Sequence, residues 1–259
     1  MLDHISWSQI DMFNRCPRQW AFRYIEEMRI PPSGALVEGS VYHQTLENNF
    51  RMKLETGKDL HVDECLDMFS DIWDKRVSDE ESIDWEDEQP GDIKDEGFKL
   101  VETYMTQRAH LVMPKLVEHV AIRKVLGTEV VSVLDLVTNE EKIVDHKTSS
   151  HMWNQDQADS HGQATTYNFT LDKIVPVQFH VAVKPTKTLP ARIQILETKR
   201  SMKEILWWVK MVEEILSQMQ SGVYPPRPGG WYCSPKYCGF WGLCQEKCSV
   251  SIFTGGNNG

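Results

Sequence analysis

Residues 129–147, EVVSVLDLVTNEEKIVDHK, contain two runs rich in Val and Ile separated by the polar segment 138–141 (TNEE). Runs of this kind predict β-strands, and a short polar segment between them predicts a hairpin turn. Asp135 closes the run VVSVLD and Asp145 closes the run KIVD, so we expect both acids at or near strand ends. Because a tight antiparallel turn places such residues side by side, the two carboxylates are predicted to lie close together.

The two acids and a nearby lysine indicate metal-assisted hydrolysis of a phosphodiester. Hard divalent ions such as Mg²⁺ and Mn²⁺ prefer oxygen ligands, so Asp135 and Asp145 are candidate ligands. Lys147 follows Asp145 by two residues, which on a strand places both side chains on one face. Its ammonium could neutralise charge that develops on a phosphate. The alternative is an ordinary surface ion pair at a strand end, and the pairing with a second acid favours the functional interpretation.

Two further segments lie on predicted helices. The first is GSVYH (39–43), which ends in His43, and the second is QATTY (163–167), in which Gln163 and Tyr167 are one helical turn apart. Taken alone, His43, Gln163 and Tyr167 are each more often ordinary helix residues than functional ones.

Around this hairpin the sequence predicts helices on both sides of a small sheet. The predicted elements are a broken helix over 5–29 with a turn at Cys16-Pro17, helices over 39–57, 61–78, 94–113, 156–172 and 201–220, and strands over 116–125, 129–137, 142–145, 177–183 and 191–197. This order predicts an α/β core with an all-helical insertion, residues 58–113.

The motifs GSVYH, SVLD, DHK and QATTY, in this order, resemble the pattern GxxxH, GxxD, (D/E)xK and QxxxY of the PD-(D/E)XK nuclease superfamily. The resemblance is to its RecB-like exonuclease branch, which includes AddB nuclease domains and CRISPR-associated RecB-like exonucleases. The resemblance spans residues 5–245. One position departs from the pattern: Ser132 stands where the GxxD motif has glycine.

The resemblance implies a restriction-endonuclease-like core, in which a small mixed sheet is flanked by helices. It implies Mg²⁺ or Mn²⁺ as cofactor and a role for each matched position. The implied metal ligands are His43, Asp135, Asp145 and the backbone carbonyl of His146; Lys147 is the catalytic lysine; and Gln163 and Tyr167 support the site or hold DNA.

Four cysteines are expected to bind a metal rather than form disulfides, since clustered cysteines in an intracellular protein more often do so. The resemblance implies a [4Fe–4S] cluster on Cys16, Cys233, Cys238 and Cys244, which joins residues 1–30 to residues 225–250. A structural Zn²⁺ site is the alternative, and free buried thiols are the third. Whether Cys248 replaces one ligand is left open, and Cys65 is interpreted as an ordinary thiol. Nearby aromatic residues are expected to pack around the metal as a core: Trp231, Tyr232, Tyr237, Phe240 and Trp241.

The net charge of −10 argues against broad coating of nucleic acid. Much of the acid lies in residues 79–95, which we interpret as a solvated segment. Glu47 is interpreted as a salt-bridge partner and Glu118 as part of a solvated strand face. Several basic residues are interpreted as solvated surface rather than phosphate contacts: Arg15, Arg18, Arg23, Lys184, Lys187, Lys199 and Arg200.

The sequence therefore predicts a divalent-metal-dependent DNA exonuclease acting on single strands or ends in recombination, replication or DNA processing. Because there is no GxxxxGK[ST] motif, unwinding would require a helicase or recombination partner. A non-catalytic DNA-binding or complex-forming module is the alternative, and a factor within a larger CRISPR-type complex is a third. We expect one domain over 1–259 with a disordered tail at 254–259. No apolar run reaches a membrane span of roughly 18 residues, so we expect a cytoplasmic location, within the host cell if the protein is virus-encoded.

Overall fold

The computed structural model describes residues 4–253, and for 248–253 the backbone only. The predicted disordered tail 254–259 and the Cys248 side chain lie outside the described residues. The helices are α1 (Trp7–Arg15), α2 (Pro17–Tyr24), α3 (Gly34–Thr56), α4 (Val62–Asp79), α5 (Pro90–Gln107), α6 (Gln155–Ser160), α7 (Gly162–Thr170), α8 (Met202–Gln220) and α9 (Trp241–Phe253). The strands are β1 (His4–Ile5), β2 (Pro114–Val125), β3 (Thr128–Thr138), β4 (Ile143–Ser149), β5 (Val177–Val183) and β6 (Arg192–Thr198).

The chain divides into two compact units. The smaller unit contains Met1–Ile30, Lys124–Glu129 and Trp207–Gly259, and the larger contains Pro31–Arg123 and Val130–Leu206. Both segments that were predicted to share a metal cluster fall in the smaller unit. A single domain over the whole chain stays a prediction. Within the described residues, no helix is long and apolar enough to cross a membrane.

The larger unit is built on a mixed sheet flanked by helices, as the sequence predicted. Strands β3, β4, β5 and β6 are neighbours in that order, and β2 pairs with β3. The β3–β4 and β5–β6 pairs are antiparallel, while β4 and β5 are parallel. In the β3–β4 pair Leu136 faces Val144, so Asp135 and Asp145 lie one residue beyond this pairing.

The two acids lie within strands rather than at strand ends, so that part of the prediction was wrong. β3 continues three residues past Asp135, and β4 continues to Ser149. The reason is that β4 pairs with β5 over its whole length, from Ile143 to Ser149. Side chains alternate along a strand, which places Asp145 and Lys147 on one face of β4 and His146 on the other.

The predicted helix over 156–172 is two helices, α6 and α7, separated at His161. His161 has an extended backbone, with φ −69° and ψ 109°. The buried Arg200 guanidinium donates to the carbonyls of Ala158 and His161, each of which also accepts a backbone N–H, and so holds the chain at the break. Sequence periodicity did not show this break because Arg200 lies about 40 residues away.

The predicted insertion 58–113 contains α4, α5 and a short 3-10 helix, which pack with α3. α3 begins five residues before the predicted start, because the Ser33 hydroxyl accepts from the Leu36 N–H and caps it. Phe50, Phe69 and Tyr104 are fully buried in the shared core. The insertion therefore completes the hydrophobic core behind the β3–β4 hairpin.

In the smaller unit, α1 and α2 separate at Cys16 as predicted, because Pro17 starts the second helix. Residues 221–240 form turns without helix or strand, and α9 follows them. The sequence did not predict α9, since the preceding glycines and prolines indicated an irregular tail.

Candidate active site

Four polar side chains form a closed ring on one face of β4. Lys147 Nζ lies 2.5 Å from Asp145 Oδ2 and donates to Gln163 Oε1 at 3.0 Å. Tyr167 Oη donates to Asp145 Oδ1 at 2.5 Å and accepts a short bond from Gln163 Nε2. β4 supplies the acid and the lysine, and α7 supplies the amide and the phenol. The structure thus brings DHK and QATTY together.

Burial determines the charge states in this ring. Tyr167 is 1% exposed, and burial, followed by the Asp145 and Asp135 carboxylates, raises its pKa well above the ordinary value. The phenol therefore stays protonated and remains a donor to Asp145. Asp145 is fully buried, so its position depends on these donors.

Asp135 lies between two histidines. The His146 backbone N–H donates to Asp135 Oδ2 at 2.8 Å, and His43 Nδ1 lies 3.2 Å from the same oxygen. Burial would raise the pKa of Asp135, but the His43 charge and the side-chain hydrogen bonds from His146 and His43 lower it well below its usual range. Burial opposes the charged form of His43, yet Asp135 outweighs it and raises the His43 pKa. The structure therefore brings GSVYH to the hairpin acid.

The carboxylates of Asp135 and Asp145 are donors that suit a hard divalent ion, and the His43 imidazole lies against Asp135. Asp145 Oδ2 is buried and accepts no hydrogen bond, facing only the Lys147 ammonium among its described contacts. Across the described residues no three His, Cys, Asp or Glu side chains converge in ligating geometry. Both carboxylates are instead engaged by neighbouring side chains, so an ion would have to displace part of these contacts.

Only a backbone carbonyl role was predicted for His146, but its side chain is buried in the core. Its ring is stacked on Phe50 at 5.8 Å between centroids, and its Nε2 lies 2.8 Å from Tyr104 Oη. The same hydroxyl lies 2.9 Å from His180 Nδ1. Sequence reasoning missed Tyr104 and His180. A histidine within the apolar run VQFHVAV was the available signal, but only the β4–β5 register places it opposite His146.

Glu118 is half-buried, so a fully solvated strand face was the wrong interpretation. Its backbone φ is +48°, an unusual value for glutamate. Burial, then the Asp135 and Glu47 carboxylates, raises its pKa to about 7. Glu47 pairs with Arg51 at 2.8 Å, which confirms its interpretation as a salt-bridge partner.

Two basic residues were wrongly assigned to solvated surface. Lys184 lies 2.5 Å from the fully buried Glu38 and 3.1 Å from Glu96. Arg200 is 5% exposed and donates to Thr165 and Thr198. Both cations therefore stabilise the fold of the larger unit.

The four predicted cluster ligands line one pocket of the smaller unit, about 350 Å³ in volume: Cys16, Cys233, Cys238 and Cys244. Burial raises the pKa of the Cys238 thiol. Phe240, 3% exposed, stacks on Phe22 at 5.5 Å, as expected of a core residue. Trp231 and Tyr237 are 72% and 54% exposed, so the predicted aromatic core was wrong for both. They pack edge to face on each other, at 5.1 Å between ring centroids.

A model of the PD-(D/E)XK nuclease superfamily matches residues 4–245, and the chain belongs to that superfamily. No curated protein matches the sequence.

Two solved structures extend the comparison. The crystal structure named "Putative exonuclease" from Eubacterium rectale is similar over 87% of this chain and 85% of that chain, with a TM-score of 0.59 and 15% identity. At this identity the likeness shows the fold alone. The structure of SSO0001 covers 94% of this chain and 87% of that chain with 16% identity, but its TM-score of 0.44 is too low to support a conclusion.

Proposed function

We propose that the protein is a divalent-metal-dependent DNA exonuclease of the RecB-like branch, acting on single strands or DNA ends. The observation that carries this proposal is the polar ring of Asp145, Lys147, Gln163 and Tyr167 on the β4 face. A second support is the His43–Asp135 contact, which joins the upstream motif to the hairpin. A structural role alone would not require a buried carboxylate, a lysine and a phenol in this order.

The side chains of His43, Asp135 and Asp145, with the backbone carbonyl of His146, would hold Mg²⁺ or Mn²⁺. Such an ion polarises a phosphoryl oxygen and acidifies a bound water. Lys147 would neutralise negative charge on the phosphate, and its bond to Gln163 keeps the ammonium oriented. The hydroxyl of Tyr167 keeps the Asp145 carboxylate in place.

The choice of DNA ends rests on family likeness. Nucleases of this superfamily generally use Mg²⁺ or Mn²⁺, and the motif order follows the RecB-like exonucleases. The Eubacterium rectale structure, whose likeness shows the fold alone, carries the name "Putative exonuclease". Recombination, replication and DNA processing are the contexts in which such an activity would operate.

Digestion of three DNA forms tests the proposal. With Mn²⁺ or Mg²⁺, the protein should degrade labelled linear single-stranded DNA and linear duplex with free ends, and it should leave closed circular DNA intact. Asp145→Asn should abolish cleavage, while Asp71→Asn, on an exposed face of α4, should not. Cutting of closed circles would show endonuclease action instead. Binding of DNA without cleavage by the wild-type protein would favour the non-catalytic module.

We also propose that Cys16, Cys233, Cys238 and Cys244 hold a [4Fe–4S] cluster. The support is their convergence on one pocket from two distant parts of the sequence, and Cys₄ ligation suits such a cluster. Their side chains are not arranged as a ligating group in the described structure. Cluster binding would therefore draw them closer together.

Metal content and visible absorbance of anaerobically purified protein test the cluster. We expect iron and sulfide with a brown colour that is lost in Cys238→Ala. Cys65→Ala is the matched control, because Cys65 is buried in the core of the larger unit. Stoichiometric zinc without iron would support a structural Zn²⁺ site.

A further inference from the structure

A chain of buried side chains runs from Asp135 away from the polar ring. It passes from Asp135 Oδ2 to His146 Nδ1 at 3.4 Å, from His146 Nε2 to Tyr104 Oη at 2.8 Å, and from Tyr104 Oη to His180 Nδ1 at 2.9 Å. Tyr104 and His180 are fully buried, and His146 is 2% exposed. Water therefore does not compete for these bonds, and each group depends on its neighbour for a partner.

The chemistry of the groups determines the direction of this chain. A carboxylate accepts hydrogen bonds and does not donate, so the proton facing Asp135 lies on His146 Nδ1. In a neutral imidazole the other nitrogen, Nε2, is then an acceptor, and the Tyr104 hydroxyl donates to it. Tyr104 Oη in turn accepts from the Nδ1–H of His180.

The reverse direction is less favourable. It would allow His180 Nε2–H to donate to Gln178 Oε1, 3.4 Å away. It would also place an unprotonated His146 Nδ1 against the negative Asp135 carboxylate. Repulsion from a buried charge costs more than a poor contact with the neutral, half-buried Gln178 amide, since the latter is partly solvated.

We propose that Tyr104 is a positioning residue of the nuclease site, whose hydroxyl donates to His146 Nε2 and so directs His146 Nδ1–H onto Asp135. This inference rests on the proposed function, because it concerns the carboxylate assigned there to the metal. Phe50 stacks on the imidazole and limits its rotation. The helical insertion thereby contributes directly to the site, since Tyr104 lies on α5.

The matched pair of variants is Tyr104→Phe and Tyr42→Phe. Tyr42 is also fully buried, its ring lies 6.3 Å from that of Tyr104, and its hydroxyl has no hydrogen-bond partner within the described part of the chain. Each variant deletes one buried oxygen from the same core. Only the first interrupts the chain to Asp135, and thermal unfolding of both checks that the fold persists.

The first readout is the tautomer of His146, measured by ¹⁵N NMR of histidine-labelled, metal-free protein. We expect Nδ1–H with an accepting Nε2 in the wild type and in Tyr42→Phe, and a changed Nε2 resonance in Tyr104→Phe. An Nε2–H tautomer, or protonation of both nitrogens, overturns the proposal.

The second readout is binding of Mn²⁺ alone, titrated by calorimetry without DNA. We expect affinity to fall about tenfold in Tyr104→Phe and to be unchanged in Tyr42→Phe, the size usual for groups that orient metal ligands. In cleavage assays kcat should fall similarly, with KM for DNA unchanged. Equal behaviour of the two variants overturns the proposal.

These readouts separate the two proposals. Wild-type protein that binds Mn²⁺ with the expected tautomer but does not cleave DNA overturns the nuclease assignment and leaves the positioning role. Cleavage of DNA that Tyr104→Phe leaves unchanged overturns the positioning role and leaves the nuclease assignment. Failure of the wild-type protein to bind Mn²⁺ overturns both.

Discussion

The residues of the candidate active site and the four cysteines are held in contrasting ways. Asp145 and Lys147 lie on β4, which is hydrogen-bonded to a strand on each side, and their polar atoms pair with α7. Cys233 and Cys238 lie in a segment without helix or strand, with single local bonds such as Cys238 N–H to Ser234 O at 2.9 Å. The catalytic geometry is thus set by the backbone, while the cysteine geometry depends on what the thiols bind.

This difference has a thermodynamic consequence. A site built on regular strands is already ordered before a ligand binds, so ligand removal changes activity and leaves the fold. A site built on turns gains its order from the bound metal, so the binding free energy becomes part of the folding free energy. The two proposed metals should therefore have separable effects.

Removing the metal that we propose on the cysteines should have the largest effect. A link between Cys16 and Cys233 closes a loop of more than 200 residues. Because such a link lowers the chain entropy of the unfolded state, it stabilises the folded state by about 5 kcal/mol. Anaerobic iron chelation should lower the free energy of unfolding of the smaller unit by up to that amount and expose residues 221–240 to protease. EDTA removal of the catalytic ion should change neither. Equal protease resistance with and without iron would break the comparison.

Lys147→Met should lower cleavage by about 10²–10³-fold, the loss typical when one group that stabilises a developing negative charge is removed. The reason is that Asp145 and Gln163 hold the ammonium in one orientation. Steady-state cleavage of linear DNA measures the effect. The control is Lys199→Met, whose side chain is 70% exposed. Wild-type activity in Lys147→Met would show that the polar ring is only structural.

Glu38→Gln probes a buried charge of the larger unit outside the site. Burial raises the Glu38 pKa from 4.5 to about 7, although the Lys184 ammonium lowers it. Between these two pH values the native state binds more protons than the unfolded state, so wild-type stability falls as pH rises through this window. Glu38→Gln lacks this pH dependence. Across the window the free energy of unfolding of the wild type should therefore fall relative to that of the variant by at most about 3 kcal/mol.

Denaturant unfolding at pH 4.5 and pH 8 measures this change for wild type and Glu38→Gln. Glu81→Gln, at an exposed position, is the control. If the stabilities of the wild type and Glu38→Gln change equally between pH 4.5 and pH 8, the assignment is contradicted. It would then follow that the Lys184 pair fully compensates the buried carboxylate.

The hairpin and its chemistry could be predicted from sequence because the relevant signals are local. Alternation along residues 129–147 gives strands, and a spacing of two places Asp145 and Lys147 on one face. The ends of these strands were wrong. The second strand, β4, is longer than predicted because it pairs with β5, a segment about 30 residues further along the chain.

Long-range pairing also explains the other differences. The break at His161 depends on Arg200, and the place of His180 opposite His146 depends on the parallel register. Exposure of Trp231 and Tyr237 was equally unpredictable, because an aromatic side chain near cysteines carries no local signal of whether it faces a core or solvent.

The sequence by itself determined the class of protein: four motifs in order resemble the pattern of the nuclease superfamily, and the family match over residues 4–245 confirms that class. Only the tertiary structure decided which groups hold those residues in place. Tyr104 and His180 come from segments with no motif, and they meet His146 because helix packing and strand register bring distant parts of the chain together.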